Sequence, residues 1–463
     1  MTITIICISI GVVLIIAAAT SSSDEEHKGF GDLSDHLSSY SNGYALAGGL
    51  KATNLDTAYK NALIVGQSGS GKTSTVLVGS TFTLARGKAS LCSMDVSGEI
   101  HKLTSGYLAK HGFNIHCIDF GPNSDGFNVF DLCRVPTDAQ KVAHTIIKNS
   151  GVESKSDMYW SASAEMLLSV FMQYLILHAE PKYRSMANVV RLVETFSAEP
   201  QKTDRLFVSA KDEKLLASYK AVNAAGERTL QSTVSMALTA LKIFKSPAVA
   251  RCTAMSTFDF SSFRKEKTVL YICTPLNEVS FMAPISALLF ESLFKEILSR
   301  IPDKSENSIF CLLDEMVTMK FQNLGLVYSN CRKYRAGCMG LVQDERMLEM
   351  NYSPAEAHAI RTNSFSKVYL KGQPLATCKM LEETLGRCAV KDERGIERMK
   401  PLMEASEIRM SSEAIILCGS SLPLKAKMTP FFDHYVLNSR TKIPPYQSER
   451  KIPFDEPPLI PLD

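Results

Sequence analysis

Short apolar runs recur along this chain, and several stop at a carboxylate. They cover residues 63–65, 90–94 ending at Asp95, 114–118 ending at Asp119, 269–273, 309–313, 338–342, 367–370 and 414–418. Most are apolar throughout, as strands covered on both faces are. Helical periodicity separates several of them, including residues 286–298 and 354–363. This alternation predicts an α/β fold around a mainly parallel sheet. The interval 152–244 breaks the pattern. It carries long amphipathic runs at 164–178, 185–196 and 230–244 and few strand signals, so it reads as a mainly helical insertion. The Pro-rich tail, KIPPYQSERKIPFDEPPLIPLD, reads as extended or disordered.

The run at 62–65 leads into Gly66-Gln67-Ser68-Gly69-Ser70-Gly71-Lys72-Thr73, with Ser74 next. This is a complete G-x-x-x-x-G-K-[ST] phosphate loop, preceded by a strand signal and followed by a helix-compatible stretch. Glycines allow turns in which successive N–H groups face one anion, and the helix start adds its positive dipole end. Lys72 can reach the β- and γ-phosphates, and the Thr73 hydroxyl can ligate Mg²⁺. Nucleotide binding, with ATP and Mg²⁺ as cofactors, is the expectation.

Residues 308–315, SIFCLLDE, supply the matching half: an apolar strand ending in two carboxylates. Asp314 is placed to hold Mg²⁺ through water and Glu315 to polarise an attacking water. About half the chain separates Lys72 from Asp314, which again calls for an inserted domain. Gln343 ends the run after Gly337 and can sense the γ-phosphate or orient water; a plain surface glutamine is the alternative. The basic stretch 330–335 contains Arg332, readable as a solvated patch or as an arginine finger for a neighbouring subunit.

Composition changes this picture little. The 463 residues suffice for two or three domains, hydrophobic residues make up 45%, and the net charge of +3 chooses no partner. Twelve scattered cysteines, none in a C-x-x-C pair, read as reduced thiols, without a disulfide framework or zinc site. Residues 3–20 carry no charge and are just long enough to span a bilayer. A signal peptide would want a basic residue before the run, and a core helix would show more polar interruptions. The expected layout is an anchor at 1–20 with its N-terminus outside, a juxtamembrane linker at 21–45 and a nucleotide-binding domain split into 46–150 and 246–440. An all-α domain at 151–245 lies between the two parts, and a tail follows at 441–463.

Several stretches together resemble the type IV secretion coupling proteins, the TraG/TraD-like conjugative ATPases. After the phosphate loop, Asp95-Val96-Ser97-Gly98-Glu99 is similar to that family's D-P-K-G-E segment, without its Pro and Lys. Phe127-Asn128-Val129-Phe130-Asp131 is similar to its Y-N-P-L element. Tyr159-Trp160 matches the aromatic start of its helical domain, although Trp160 by itself reads as a core aromatic. Asp314-Glu315, Arg332-Lys333-Tyr334 and Leu341-Val342-Gln343 follow in the family's order, then Met399–Met403 with Glu407-Ile408, and Phe431-Phe432-Asp433. The resemblance implies a RecA-like phosphate-loop NTPase core, a membrane-distal all-α domain, an inner-membrane anchor and hexamers around a channel. It casts Lys72, Glu315, Gln343 and, in trans, Arg332 as catalytic. It also implies type IV secretion channel components as partners, and relaxase-bound DNA or protein effectors as cargo. A FtsK-like DNA translocase and a nucleotide-gated scaffold that scarcely hydrolyses ATP are the rival readings.

Overall fold

The structure is a computed structural model that describes residues 29–151, 158–224, 226–275, 277–391, 397–449 and 452–462. The expected anchor at 1–20 and the first residues of the linker lie outside the described residues.

All eight expected strands are present. They are β1 (Ala62–Val65), β2 (Ala89–Asp95), β3 (Asn114–Ile118), β4 (Thr268–Cys273), β5 (Ser308–Leu313), β6 (Ala336–Val342), β7 (Ser366–Tyr369) and β10 (Ala414–Cys418). Three more lack a readable pattern. β8 (Arg387–Lys391) and β9 (Glu397–Pro401) form a separate antiparallel ribbon, and β11 (Leu424–Ala426) has three residues. The ribbon shows little apolar periodicity because it is poorly covered: Val390 and Met399 are both exposed.

The main sheet runs β11-β10-β7-β1-β6-β5-β2-β4-β3. From β7 to β3 every pairing is parallel, and only β10 and β11 add antiparallel strands at one edge. Every residue of β1, β2, β4, β5 and β6 is buried, which accounts for their unbroken apolar character. Alternate side chains still face opposite layers. Leu63 and Val65 join one apolar cluster, whereas Ala62 and Ile64 join another on the far side.

Between β3 and β4, after the helix Asp138–Asn149, five more long helices follow one another with no strand among the described residues: Met158–His178, Met186–Ala198, Pro200–Ser209, Glu213–Asn223 and Glu227–Ala240. Aromatic packing joins them, with Phe207 stacked on Tyr219 at 4.1 Å and Phe171 edge-on to Phe196. Among the described residues one segment, Tyr159–His178, is long and apolar enough to cross a membrane. Leu167, Leu168, Phe171 and Leu175 within it are fully buried against neighbouring helices, so it is a core helix. Trp160 departs from expectation. It is half-buried, edge-on to the exposed Tyr159 at the start of that helix, and takes no place in the core.

The tail is extended and packed. Ser105 Oγ accepts the Tyr446 N–H, and the Asn188 amide bonds both the Pro458 carbonyl and the Ile460 N–H. Ile452 and Ile460 are buried in the larger apolar cluster.

Asn61 ties the strands together where they begin. Its backbone sits at a φ of 62°. Its amide donates to Tyr328 O (2.8 Å) and Asn363 O (3.0 Å) and accepts the Cys338 N–H (2.9 Å). Replacing it with Leu would leave these buried backbone groups unsatisfied and force a branched side chain into the left-handed region. Equilibrium urea unfolding should show a loss of about 3 kcal/mol.

Candidate nucleotide site

In parallel sheets the carboxyl ends of the strands form the ligand edge. Here β1, β5, β2 and β6 bring their last residues to that edge together. Gly66 follows β1 directly, and its N–H donates to Val342 O at the end of β6 (3.1 Å). A Cβ on Gly66 would lie 2.5 Å from Ser70 Oγ and 3.1 Å from Leu370, so only glycine fits the start of the loop. Gly71 adopts a φ of 94° as the loop turns into a helix, whose first stretch, Lys72–Leu77, is wound as a wide π-turn. The tip formed by Gln67, Ser68 and Gly69 is exposed. Ser70 Oγ is buried with no hydrogen-bond partner. Thr73 and Ser74 are half-buried in the first helical turn, where Ser74 Oγ bonds Gly71 O at 3.4 Å.

Lys72 is buried, yet its ammonium is held inside the loop. It donates to Gly66 O at 2.6 Å and lies 3.4 Å from Glu315 Oε1. The two sequence motifs, half a chain apart, therefore meet in one ion pair. Glu315 has a φ of 52°, an uncommon conformation for a residue with a long side chain. Such local strain concentrates at functional positions.

Asp314 is nearly buried, and its carboxyl is pushed up to about 7. Burial is the main cause, the charges of Glu315, Asp95 and Glu99 add to it, and Lys72 opposes them. Asp95 is not marked as a site residue by the sequence alone. β2 lies beside β5 with Met94 paired to Leu313, so Asp95 and Asp314 are the next residues in that register. Burial also raises the Asp95 carboxyl, against nearby backbone amides at the start of the helix Glu99–Lys110. The available signal was the acidic end of the 90–94 run. Gln373 was missed as well. It follows β7, and its amide donates to Val65 O at 3.1 Å and Leu370 O at 2.7 Å, bracing the strand that launches the loop.

Gln343 directly follows Val342, the partner of Val65, and so stands beside the start of the loop. Arg332 does not join this group. It precedes β6, at the opposite edge of the sheet, where it pairs with Asp56 at 3.2 Å. Seven residues of β6 intervene, about 20 Å of extended chain. At that edge Arg332 lines a cavity of about 490 Å³ together with Lys60, Arg361 and Lys367.

The residues present suit a magnesium nucleotide. A glycine turn carries a buried ammonium, and the buried Asp314 carboxylate stands beside the partly exposed Glu315, an oxygen donor set that suits a hard divalent cation. Among the described residues no three His, Cys, Asp or Glu side chains form a metal site by themselves. Ordinary phosphate-loop sites share that trait, because phosphates and water complete the metal's coordination. Eleven described cysteines are free thiols.

Fold and loop together define a RecA-like α/β core that carries a phosphate-loop motif. The chain belongs to the type IV secretory system conjugative DNA transfer family, whose family model matches residues 26–449. It is similar to the protein VirD4 of Agrobacterium fabrum, 22% identical over 417 residues, which are 81% of this chain and 59% of that protein. It is likewise similar to VirD4 of Rhizobium radiobacter, at 23% over 355 residues, 72% of this chain and 48% of that protein. The chain thus spans about half to three-fifths of the length of these relatives. Among solved structures, the bacterial conjugative coupling protein TrwBdeltaN70 with sulphate superposes with a TM-score of 0.65 at 17% identity, covering 89% of this chain and 92% of that one. The plasmid coupling protein TrwB in complex with ADP and Mg²⁺ gives 0.62 at 17% identity, covering 84% and 90%. The resemblance read from the ordered motifs is thereby borne out at the level of family and fold.

Proposed function

We propose that this chain is a membrane-anchored coupling ATPase of a type IV secretion system, which brings relaxase-bound DNA to the channel and drives its transfer by ATP hydrolysis. The observation that carries this reading is the contact between Lys72 and Glu315 beside the buried Asp314. Family membership and the TrwB complexes with ADP and Mg²⁺ or with an ATP analogue support the choice of nucleotide. The membrane anchor rests on the uncharged segment 3–20.

In this reading the loop amides from Gly66 to Ser74 and Lys72 bind the triphosphate. Thr73 and Asp314 would hold Mg²⁺, which would supply charge neutralisation for the transferring phosphoryl group. Glu315 accepts the proton of the attacking water, and Gln343 reports the γ-phosphate to β6. Lys72 exchanges its bond to Gly66 O for a phosphate oxygen, which frees it from Glu315. Arg332 sits a full strand away from its own loop, which suits a role at the site of the next copy in a head-to-tail ring, a hexamer by family resemblance. The basic cavity it lines suits that role.

Mixed oligomers test the arrangement. Lys72→Ala and Arg332→Ala chains should each be inactive alone, each losing a hundredfold or more of turnover, on the order seen for trans-acting arginines. Mixed together, they should regain a measurable fraction, because some interfaces pair an intact loop with an intact Arg332. Mixtures as inactive as the separate variants would remove Arg332 from the site.

Cargo is tested separately. Stimulation of ATP turnover by DNA, lost as salt rises, supports DNA as the transferred strand. Stimulation only by a protein partner would move the reading to effector transfer.

A further inference from the structure

The acidic end of β2 has no place in the residue roles given so far. Asp95 is fully buried. Its Oδ2 accepts the His101 N–H at 2.8 Å and the Cys273 thiol at 3.8 Å. Its Oδ1 is equally buried and has no hydrogen-bond partner. An unsatisfied buried carboxylate oxygen costs free energy comparable to a lost charge-assisted bond, and one that persists calls for a ligand or water to complete it.

Its position says which ligand. Asp95 ends β2 one register step beyond the Met94–Leu313 pair, beside Asp314 at the end of β5. Four carboxylates, Asp95, Glu99, Asp314 and Glu315, bear on this edge, and Lys72 acts on Asp314 against them. A nucleotide adds more negative charge, so the edge needs a divalent cation. Asp314 and Thr73 cannot satisfy a six-coordinate magnesium, which keeps several waters. Those waters are donors, and they need acceptors fixed by the protein.

We propose that Asp95 is a positioning residue for the magnesium site, its Oδ1 accepting a hydrogen bond from metal-bound water beside Asp314. The helix Glu99–Lys110 holds the carboxylate in orientation through the His101 N–H. This inference rests on the nucleotide-site reading above and assigns to β2 a share in metal affinity.

The test is a Mg²⁺ titration of the full chain saturated with a fluorescent ADP analogue, starting in EDTA. Asp95→Asn keeps an oxygen for the His101 N–H and removes the charge. It should raise the half-saturating Mg²⁺ concentration about tenfold or more, in the range typical of second-layer metal partners. Affinity for the metal-free nucleotide should stay the same. Cys273→Ala, which removes a neighbour of Asp95 and leaves its charge, should titrate like the parent protein. An Asp95→Asn protein that melts normally and has parental Mg²⁺ affinity overturns the proposal. If Asp95→Asn shows no cooperative melting, Asp95→Ser is judged by the same criterion. A parent protein whose nucleotide binding ignores Mg²⁺ would sink the nucleotide-site reading itself, a different failure.

Discussion

Replacing Lys72 with Ala should abolish measurable ATP turnover, with a loss of roughly 10³-fold, or about 4 kcal/mol of transition-state stabilisation. The reason lies in where its ammonium sits. Lys72 is buried, within 2.6 Å of Gly66 O, inside the loop whose amides would cradle the phosphates. A charge placed there acts in a medium that screens it poorly. ATP affinity should fall as well, by about ten- to a hundredfold, as expected for one charge-assisted bond. The fold should survive, because Glu315 keeps partial contact with solvent and the loss is confined to the donor shared by the Gly66 and Gln67 carbonyls. Steady-state phosphate release, nucleotide titration and a melting curve on one preparation separate these effects. A Lys72→Ala protein with ordinary turnover would remove the phosphate loop from the chemistry.

Glu315→Gln should divide binding from hydrolysis. A glutamine keeps the shape and can still contact Lys72, but it cannot take a proton from water. Turnover should fall by about 10²–10⁴-fold, the usual share of a general base, while ATP binding stays within a few-fold of the parent value. The left-handed backbone at Glu315 supports this assignment, since nothing in strand packing requires a glutamate there. Phosphate release and transfer both unchanged by Glu315→Gln would defeat the motor account and leave a nucleotide-gated scaffold standing.

Most of the parallel sheet was readable because β1, β2, β4, β5 and β6 are buried on both faces and so consist of apolar residues. The β8–β9 ribbon was not readable, because strands with little cover carry little hydrophobic pattern. The tail illustrates a related limit. Its proline content forecast extended backbone, but the bonds from Asn188 and Ser105 that seat it come from helices far away in sequence. Trp160 marks a similar limit: an aromatic side chain favours burial, and its position at a helix start beside exposed Tyr159 decides otherwise.

By itself the sequence marked the residues of one candidate anion site. The loop Gly66–Thr73 and the pair Asp314-Glu315 are local patterns whose residue types follow from what a triphosphate and a metal demand. It also determined which segments would become buried strands. Strand order was left to the tertiary structure, and order is what puts β2 beside β5, bringing Asp95 next to Asp314. The same order seats Gln343 near the loop and leaves Arg332 at the far edge, out of reach of its own nucleotide site. The physical reason is that apolar burial is non-directional: it makes a segment a core strand without naming its neighbours, and only the packed sheet, with its helices on both faces, selects which strand ends share an edge.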